Sequence, residues 1–178
     1  MATMFENAAA QPARTAALAI ATLAAATLAG AWIFQFGFGI QPCPLCLEQR
    51  YAYYIAVPLA WLLFAGATFG ASRKVLVVGF VVIAGFMLWN AGLGAYHAGV
   101  EWGWWQGPQD CAGPLTDLGG AGGLLKKIET IRIVRCDEVQ WRFLGLSLAG
   151  YNVLISLALA ALALWGALGA YRTIRDRD

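Results

Sequence analysis

Charged residues are scarce in this sequence. Only 12% of its 178 residues are charged and 60% are hydrophobic, whereas soluble domains carry about 25% charged residues. The formal net charge is only +2, and no basic run is long enough to follow a phosphate backbone, which argues against a nucleic-acid-binding protein. The composition therefore predicts a polytopic membrane protein.

Histidine and cysteine are also few, with one histidine and four cysteines. The sequence has neither a glycine-rich dinucleotide fingerprint nor the C-x-x-C-H pattern of haem attachment. A structural zinc site usually takes its ligands from close pairs, but Cys111 and Cys136 lie far apart in the chain. Metal binding is therefore the weaker interpretation of these cysteines, and we predict no metal site.

Four long apolar runs predict an all-α integral membrane protein. The expected helices cover about 15–36, 47–70, 75–95 and 143–171, and each is long enough to cross a hydrocarbon core of about 30 Å. The first run resembles a signal peptide, but it exceeds the usual signal core of about 7–15 residues and three similar runs follow it. We expect one domain over residues 1–178, a bundle of four transmembrane helices.

The connections between these helices predict an orientation. Arg73 and Lys74 form a tight basic turn between the second and third helices, and further arginines lie close to both ends of the apolar region. Basic residues in the long connection of about 96–142 count less, because they are mixed with acidic residues and the loop is long. Both termini are thus expected in the cytoplasm. The short loop of about 37–46 and the long loop then face the opposite side, where disulfides persist.

The long connection has internal patterns of its own. Residues 119–123 are almost all glycine and predict a flexible joint, and residues 124–131 alternate apolar and charged side chains at helical spacing. This segment is either a short interfacial helix or an ordinary turn. Trp102, Trp104 and Trp105 are typical of the aromatic belt at a membrane surface.

A C-x-x-C pair at the start of the second helix carries the chemistry. Closing the small ring between Cys43 and Cys46 would remove little unfolded-state entropy, so a structural staple is poorly motivated there. The helix dipole favours a thiolate at this end of the helix, which indicates redox exchange. For Cys111 and Cys136, a structural disulfide and a redox role are both open.

Arg50 follows Cys46 by four residues, so both side chains lie on one helix face. An unpaired charge at the hydrocarbon edge is costly, and the arginine either extends to the lipid headgroups or binds an electronegative group beside a thiolate. A lipid-soluble quinone fits the second interpretation, because the electron acceptor would lie in the bilayer. His97 is expected at the same membrane face. It either contacts the quinone ring or has a purely structural role.

These features together resemble the DsbB family of disulfide-bond-formation proteins. The resemblance rests on Cys43 and Cys46 followed by Arg50, on the second cysteine pair, and on the run 136–146 that enters the fourth helix. It covers nearly the whole chain, and the cysteine pattern is more specific than the apolar helices.

The resemblance implies an electron relay. A DsbA-like thioredoxin-fold partner would attack Cys111 in a disulfide between Cys111 and Cys136. The released Cys136 would then attack Cys43, and Cys46 would be freed as a thiolate.

The resemblance also implies an acceptor and a location. Electrons would pass from Cys46 to ubiquinone, or to menaquinone, beside Arg50, with His97 an approximate match to a family histidine near the quinone. The family's membrane is the bacterial inner membrane, with the cysteine loops in the periplasm. The alternative function is a non-enzymatic four-helix membrane scaffold with structural disulfides.

Overall fold

Four long helices make up most of the protein. A computed structural model describes residues 2–108 and 135–175, so Cys111 and the segments 119–123 and 124–131 lie outside the described residues. The four helices are α1 (Ala2–Trp32), α2 (Pro44–Phe69), α3 (Arg73–Glu101) and α4 (Leu148–Arg175).

All four helices are long and apolar enough to cross a membrane. Their candidate spans are 26, 26, 29 and 25 residues long, with mean hydropathies between 1.6 and 2.2. This confirms the expected all-α membrane fold with four spanning helices, and the protein is a multi-pass membrane protein.

The helices form a closed bundle in which each helix packs mainly against two neighbours. α2 and α4 both contact α1 and also both contact α3, and the most extensive contacts join α3 to α4. Much of the core is alanine, including Ala16, Ala56 and Ala163, all fully buried. Small side chains let helix backbones approach closely where lipid supplies no hydrophobic driving force between helices. Phe80 and Met87 fill the remaining space at the centre.

α3 continues six residues beyond the expected end near residue 95. Neither Tyr96 nor His97 interrupts a helix, and the chain leaves helical geometry only after Glu101, where Gly103 has φ +73°. The extra turns keep His97 and Glu101 on a rigid helix.

α4 begins five residues later than the expected start near residue 143. The preceding residues form a two-stranded antiparallel hairpin of β1 (Arg142–Phe143) and β2 (Leu146–Ser147). Leu144 and Gly145 have φ values of +48° and +83°, which suit a tight hairpin turn and not a right-handed helix. The hairpin rests at the same end of the bundle as the start of α2.

The chain between α1 and α2 is short and ordered. α1 ends in a π-helical segment, Ile33–Gly37, a distortion often found at functional sites. α2 then starts at Pro44 with Cys43 as its N-cap residue, three residues earlier than expected. Proline suits this first position because the N–H it lacks would have no helical partner.

Candidate redox site

Cys43 and Cys46 lie together at the first turn of α2. The Cys43 sulfur accepts a hydrogen bond from the Cys46 backbone N–H at 3.2 Å, and the two sulfurs are 2.7 Å apart. Both cysteines are free thiols, Cys43 buried and Cys46 partly exposed. A disulfide bond of about 2.0 Å could close here after a small movement.

The environment of Cys43 favours its thiolate. The hydrogen bond from the Cys46 thiol lowers the pKa of Cys43 most, and His97 lowers it further, so that the pKa falls to about 5 although burial acts in the opposite direction. In the dithiol the shared proton therefore stays on Cys46. The Cys46 thiolate that the family resemblance implies belongs to a later step, after Cys43 has joined another sulfur.

His97 and Glu101 border the cysteine pair from α3. The imidazole Nε2 lies 3.6 Å from the Cys43 sulfur and 4.0 Å from Glu101 Oε1. The Glu101 side chain is only 6% exposed, and its Oε2 has no hydrogen-bond partner among the described residues. Ser147 and Arg142 of the hairpin also interact with this carboxyl group.

A chain of side-chain amides continues behind His97. Gln49 Nε2 donates to His97 Nδ1 at 2.9 Å and to the Leu45 carbonyl oxygen at 3.2 Å. Asn152 Nδ2, from α4, donates to Gln49 Oε1 at 2.6 Å. The histidine is therefore tied to α2 and, through Gln49, to α4.

The chain of side-chain amides extends further between the helices. Asn152 Oδ1 accepts from the Tyr53 hydroxyl at 2.6 Å and from Asn90 Nδ2 at 3.3 Å, and Asn90 also donates to Ser156 Oγ at 2.9 Å. Gly94 makes this approach possible, because a Cβ there would lie 3.1 Å from Asn152 Nδ2.

Arg50 is held at the cavity wall by α1. Its guanidinium donates to Gln35 Oε1 at 2.6 Å and to the Ala31 carbonyl oxygen at 3.4 Å. Gln35 belongs to the π-helical segment, which explains how that distortion serves the site. Arg50 and Cys46 line the same cavity, as their spacing of four residues predicts.

The cavity has a volume of about 420 Å³ and mostly apolar walls. Trp141 is the centre of an aromatic group, 5.2 Å from Phe34, 5.9 Å from Phe143 and 6.5 Å from Tyr151 between ring centroids. The polar groups of the wall include Cys43, Cys46, Gln49, Arg50, His97 and Glu101. Apolar walls with a few convergent polar groups are typical of sites for small organic ligands.

Cys136 lies beside the first cysteine pair. It is 1% exposed and packs in one buried cluster with Cys43, Leu45 and Val100. Cys136 is disulfide-bonded, and Cys111 lies outside the described residues. The structure thus gathers Cys43, Cys46, Arg50, His97 and Cys136 at one end of the bundle.

Two thiols and an imidazole are also donors for a metal ion, and Cys43, Cys46 and His97 have ligand atoms within 4.8 Å of one another. Two sulfurs on one zinc ion stand about 3.7 Å apart, given Zn–S bonds of about 2.3 Å. A zinc-bound histidine also normally donates from its other nitrogen, whereas Nδ1 here accepts from Gln49. The geometry favours thiol chemistry at this site.

Several residues of the site escape sequence reasoning. No role is expected from the sequence for Gln49, Asn90, Asn152 or Glu101, because they belong to no short motif. The usable signal is a polar side chain inside an apolar span, which is costly in lipid and often functional. Gln49 and Tyr53 in particular follow Cys46 at helical spacing.

Known proteins that resemble this chain carry the same family description. Residues 13–166 match the family model described as disulfide bond formation protein DsbB. Proteins named disulfide bond formation protein B are similar to it. That of Xanthomonas euvesicatoria pv. vesicatoria is 33% identical, and the match covers 84% of this chain and 87% of the relative. That of Polaromonas sp. is 29% identical, and the match covers 83% of this chain and 86% of the relative. No solved structure gives a significant match.

Proposed function

The chain belongs to the DsbB family of disulfide bond formation proteins, and from this membership we propose that it is a thiol:quinone oxidoreductase. It reoxidises a DsbA-like dithiol partner and passes the electrons to a quinone in the membrane. The observation that carries the proposal is the dithiol of Cys43 and Cys46 on the wall of an apolar cavity that also holds Arg50.

Electrons enter by thiol–disulfide exchange. A partner thiolate attacks Cys111, the bond between Cys111 and Cys136 breaks, and Cys136 leaves as a thiolate. Cys136 then attacks Cys43 in the oxidised first pair, and Cys46 takes the released electron pair. The second thiolate of the partner attacks the mixed disulfide, so that the partner leaves oxidised and Cys111 is released as a thiolate. The burial of Cys136 beside Cys43 supports the attack on Cys43, while the part of Cys111 rests on the family resemblance.

The cavity suits a quinone head group. Its aromatic walls match a flat ring, and Arg50 offers a charged donor for a carbonyl oxygen. A quinone, ubiquinone or menaquinone, supplies an acceptor for two electrons and two protons. Arg50 and the aromatic group around Trp141 would hold it, with Cys46 on the same wall and His97 close by.

The basic turn supports the proposed orientation. Arg73 and Lys74 are the first residues of α3, directly after the short connection from α2 and at the end opposite Cys43. Basic residues at such a helix end favour the cytoplasmic side. We place the protein in the bacterial inner membrane, with its termini in the cytoplasm and the cysteine site facing the periplasm.

An oxidation assay with purified protein tests the proposal. The protein in detergent, given ubiquinone and a reduced DsbA-like partner, should oxidise the partner, and Cys46→Ser should abolish turnover with an unchanged helical circular dichroism spectrum. Full turnover by Cys46→Ser would instead favour a structural role for the cysteines.

A further inference from the structure

We propose that Gln49 and Asn152 are positioning residues that hold His97 as the neutral tautomer with its proton on Nε2, facing the sulfur of Cys43. The inference deepens the proposed function, since its redox meaning rests on the role of Cys43. The tautomer itself does not depend on turnover.

The backbone carbonyl of Leu45 fixes the direction of the amide chain. A carbonyl oxygen can only accept a hydrogen bond, so the Gln49 atom that faces it at 3.2 Å is the NH₂ group. This removes the usual ambiguity between the oxygen and nitrogen of a glutamine side chain. The other hydrogen of that NH₂ group points to His97 Nδ1 at 2.9 Å, which must present a lone pair.

The direction set at Gln49 carries through to the far end of this chain of amides. With Gln49 Oε1 facing α4, the Asn152 atom at 2.6 Å must be its NH₂ group. Asn152 Oδ1 is then free to accept from the Tyr53 hydroxyl and from Asn90. This arrangement leaves Asn90 Oδ1 buried and without a hydrogen-bond partner among the described residues. Leaving this buried oxygen without a hydrogen bond costs free energy, yet the chain of amides keeps its direction.

A neutral imidazole with a lone pair on Nδ1 carries its proton on Nε2. That N–H faces the Cys43 sulfur at 3.6 Å and the Glu101 carboxylate at 4.0 Å. The Cys136 main chain also interacts with the ring, Cys46 lies beside Cys43, and the charge of Arg142 acts on Glu101.

His97 therefore acts on Cys43 as a hydrogen-bond donor and not as a base. Its Nε2 has no lone pair to take the thiol proton, but its N–H stabilises a thiolate. When Cys43 joins a disulfide its sulfur loses the charge and becomes a weaker acceptor for that N–H.

Nitrogen-15 NMR of the imidazole tests the inference directly. The chain has one histidine, so ¹⁵N-histidine labelling of the full-length protein, with an affinity tag that lacks histidine, gives signals from His97 alone. In the reduced protein at pH 7 we expect a protonated Nε2 and a bare Nδ1. A proton on Nδ1, alone or together with one on Nε2, would overturn the proposal.

Two variants and one control separate positioning from simple structural support. Asn152→Leu removes the donor that holds Gln49 Oε1, so the Gln49 side chain can leave His97 and both tautomers should appear. Gln49→Glu should draw the proton to Nδ1, because the introduced carboxylate can only accept. Ser156→Ala removes a hydrogen bond at the far end and should keep the wild-type tautomer. If both Asn152→Leu and Gln49→Glu fold and keep that tautomer, the positioning role is wrong.

A thiolate titration gives the consequence for Cys43. In a background where the other three cysteines are serine, the ultraviolet absorbance of the thiolate reports Cys43 alone. Adding Asn152→Leu should raise the titration midpoint by about one pH unit, the size of a lost hydrogen bond to a charged group. An unchanged midpoint would contradict the link to Cys43. If the wild-type protein shows the predicted His97 tautomer but no quinone turnover, that result counts against the proposed function alone.

Discussion

The imidazole Nε2 of His97 lies 3.6 Å from the Cys43 sulfur, although 54 residues separate them in the chain. α3 has to continue past the expected end near residue 95 for this contact to form, and α2 has to start at Pro44. Two helix ends from different parts of the chain therefore build one redox site.

The low pKa of Cys43 predicts how its reactivity depends on pH. A pKa lowered from 9.0 to about 5 means that the thiolate dominates above pH 5, and it becomes protonated as the pH falls through that value. In the reduced protein, the rate of Cys43 alkylation by iodoacetamide should be the same at pH 6 as at pH 8 and should fall below pH 5. Peptide mapping by mass spectrometry measures the rate at each cysteine.

Cys46→Ala provides the matched comparison for this titration. It removes the thiol hydrogen bond that contributes most to the low pKa of Cys43, so alkylation should already slow down at a higher pH. The same pH profile in both proteins would contradict the assignment of the thiolate to Cys43.

Arg50→Gln should weaken quinone use more than partner binding. The guanidinium offers a charged donor to a carbonyl oxygen, an interaction of about 1.5–3 kcal/mol, so KM for ubiquinone should rise about tenfold or more. Steady-state kinetics with varied quinone and a fixed excess of partner measures this change.

Gln35→Leu is the control for the position of Arg50. It removes the 2.6 Å hydrogen bond that ties the guanidinium to α1 but keeps the charge, so its effect on KM should be smaller than that of Arg50→Gln. An Arg50→Gln protein with wild-type KM would show that the arginine serves another purpose.

Gly94→Ala should destabilise the bundle where α3 meets α4. The new Cβ would lie 3.0 Å from Val153 Cγ2 and 3.1 Å from Asn152 Nδ2, and relieving such overpacking costs about 1–3 kcal/mol. Gly92→Ala is a matched control in the same helix, because nothing lies within 4 Å of its Cβ position. Thermal unfolding in detergent should show a lower midpoint for Gly94→Ala only. Equal midpoints would refute the close packing.

The sequence predicts the helices well because apolar runs of this length have few other structures available. It also brings Cys46 and Arg50 together, since four residues make one turn of a single helix. Contacts between different helices cannot be predicted from residue spacing in this way. Nothing in the spacing of Gln49 and Asn152 says that α2 and α4 turn these faces toward each other, because that rotation depends on packing along the whole bundle.

Helix ends were harder to predict than helix centres. The hairpin before α4 depends on left-handed geometry at Leu144, which leucine rarely adopts and composition does not reveal. Glu101 looks like a loop residue in the sequence, and only the extra turns of α3 bring it to the cavity.

The central claim is that the Cys46 sulfur faces a quinone beside Arg50, and visible absorption spectroscopy tests it most directly. Ubiquinone added to purified Cys43→Ser should produce a thiolate–quinone charge-transfer band, since Cys43 can then no longer take the negative charge of the pair and Cys46 keeps its place on the cavity wall. The band should disappear when Cys46→Ser is added to that variant. No band from a Cys43→Ser protein that binds ubiquinone, or a band that survives the loss of Cys46, would contradict the account.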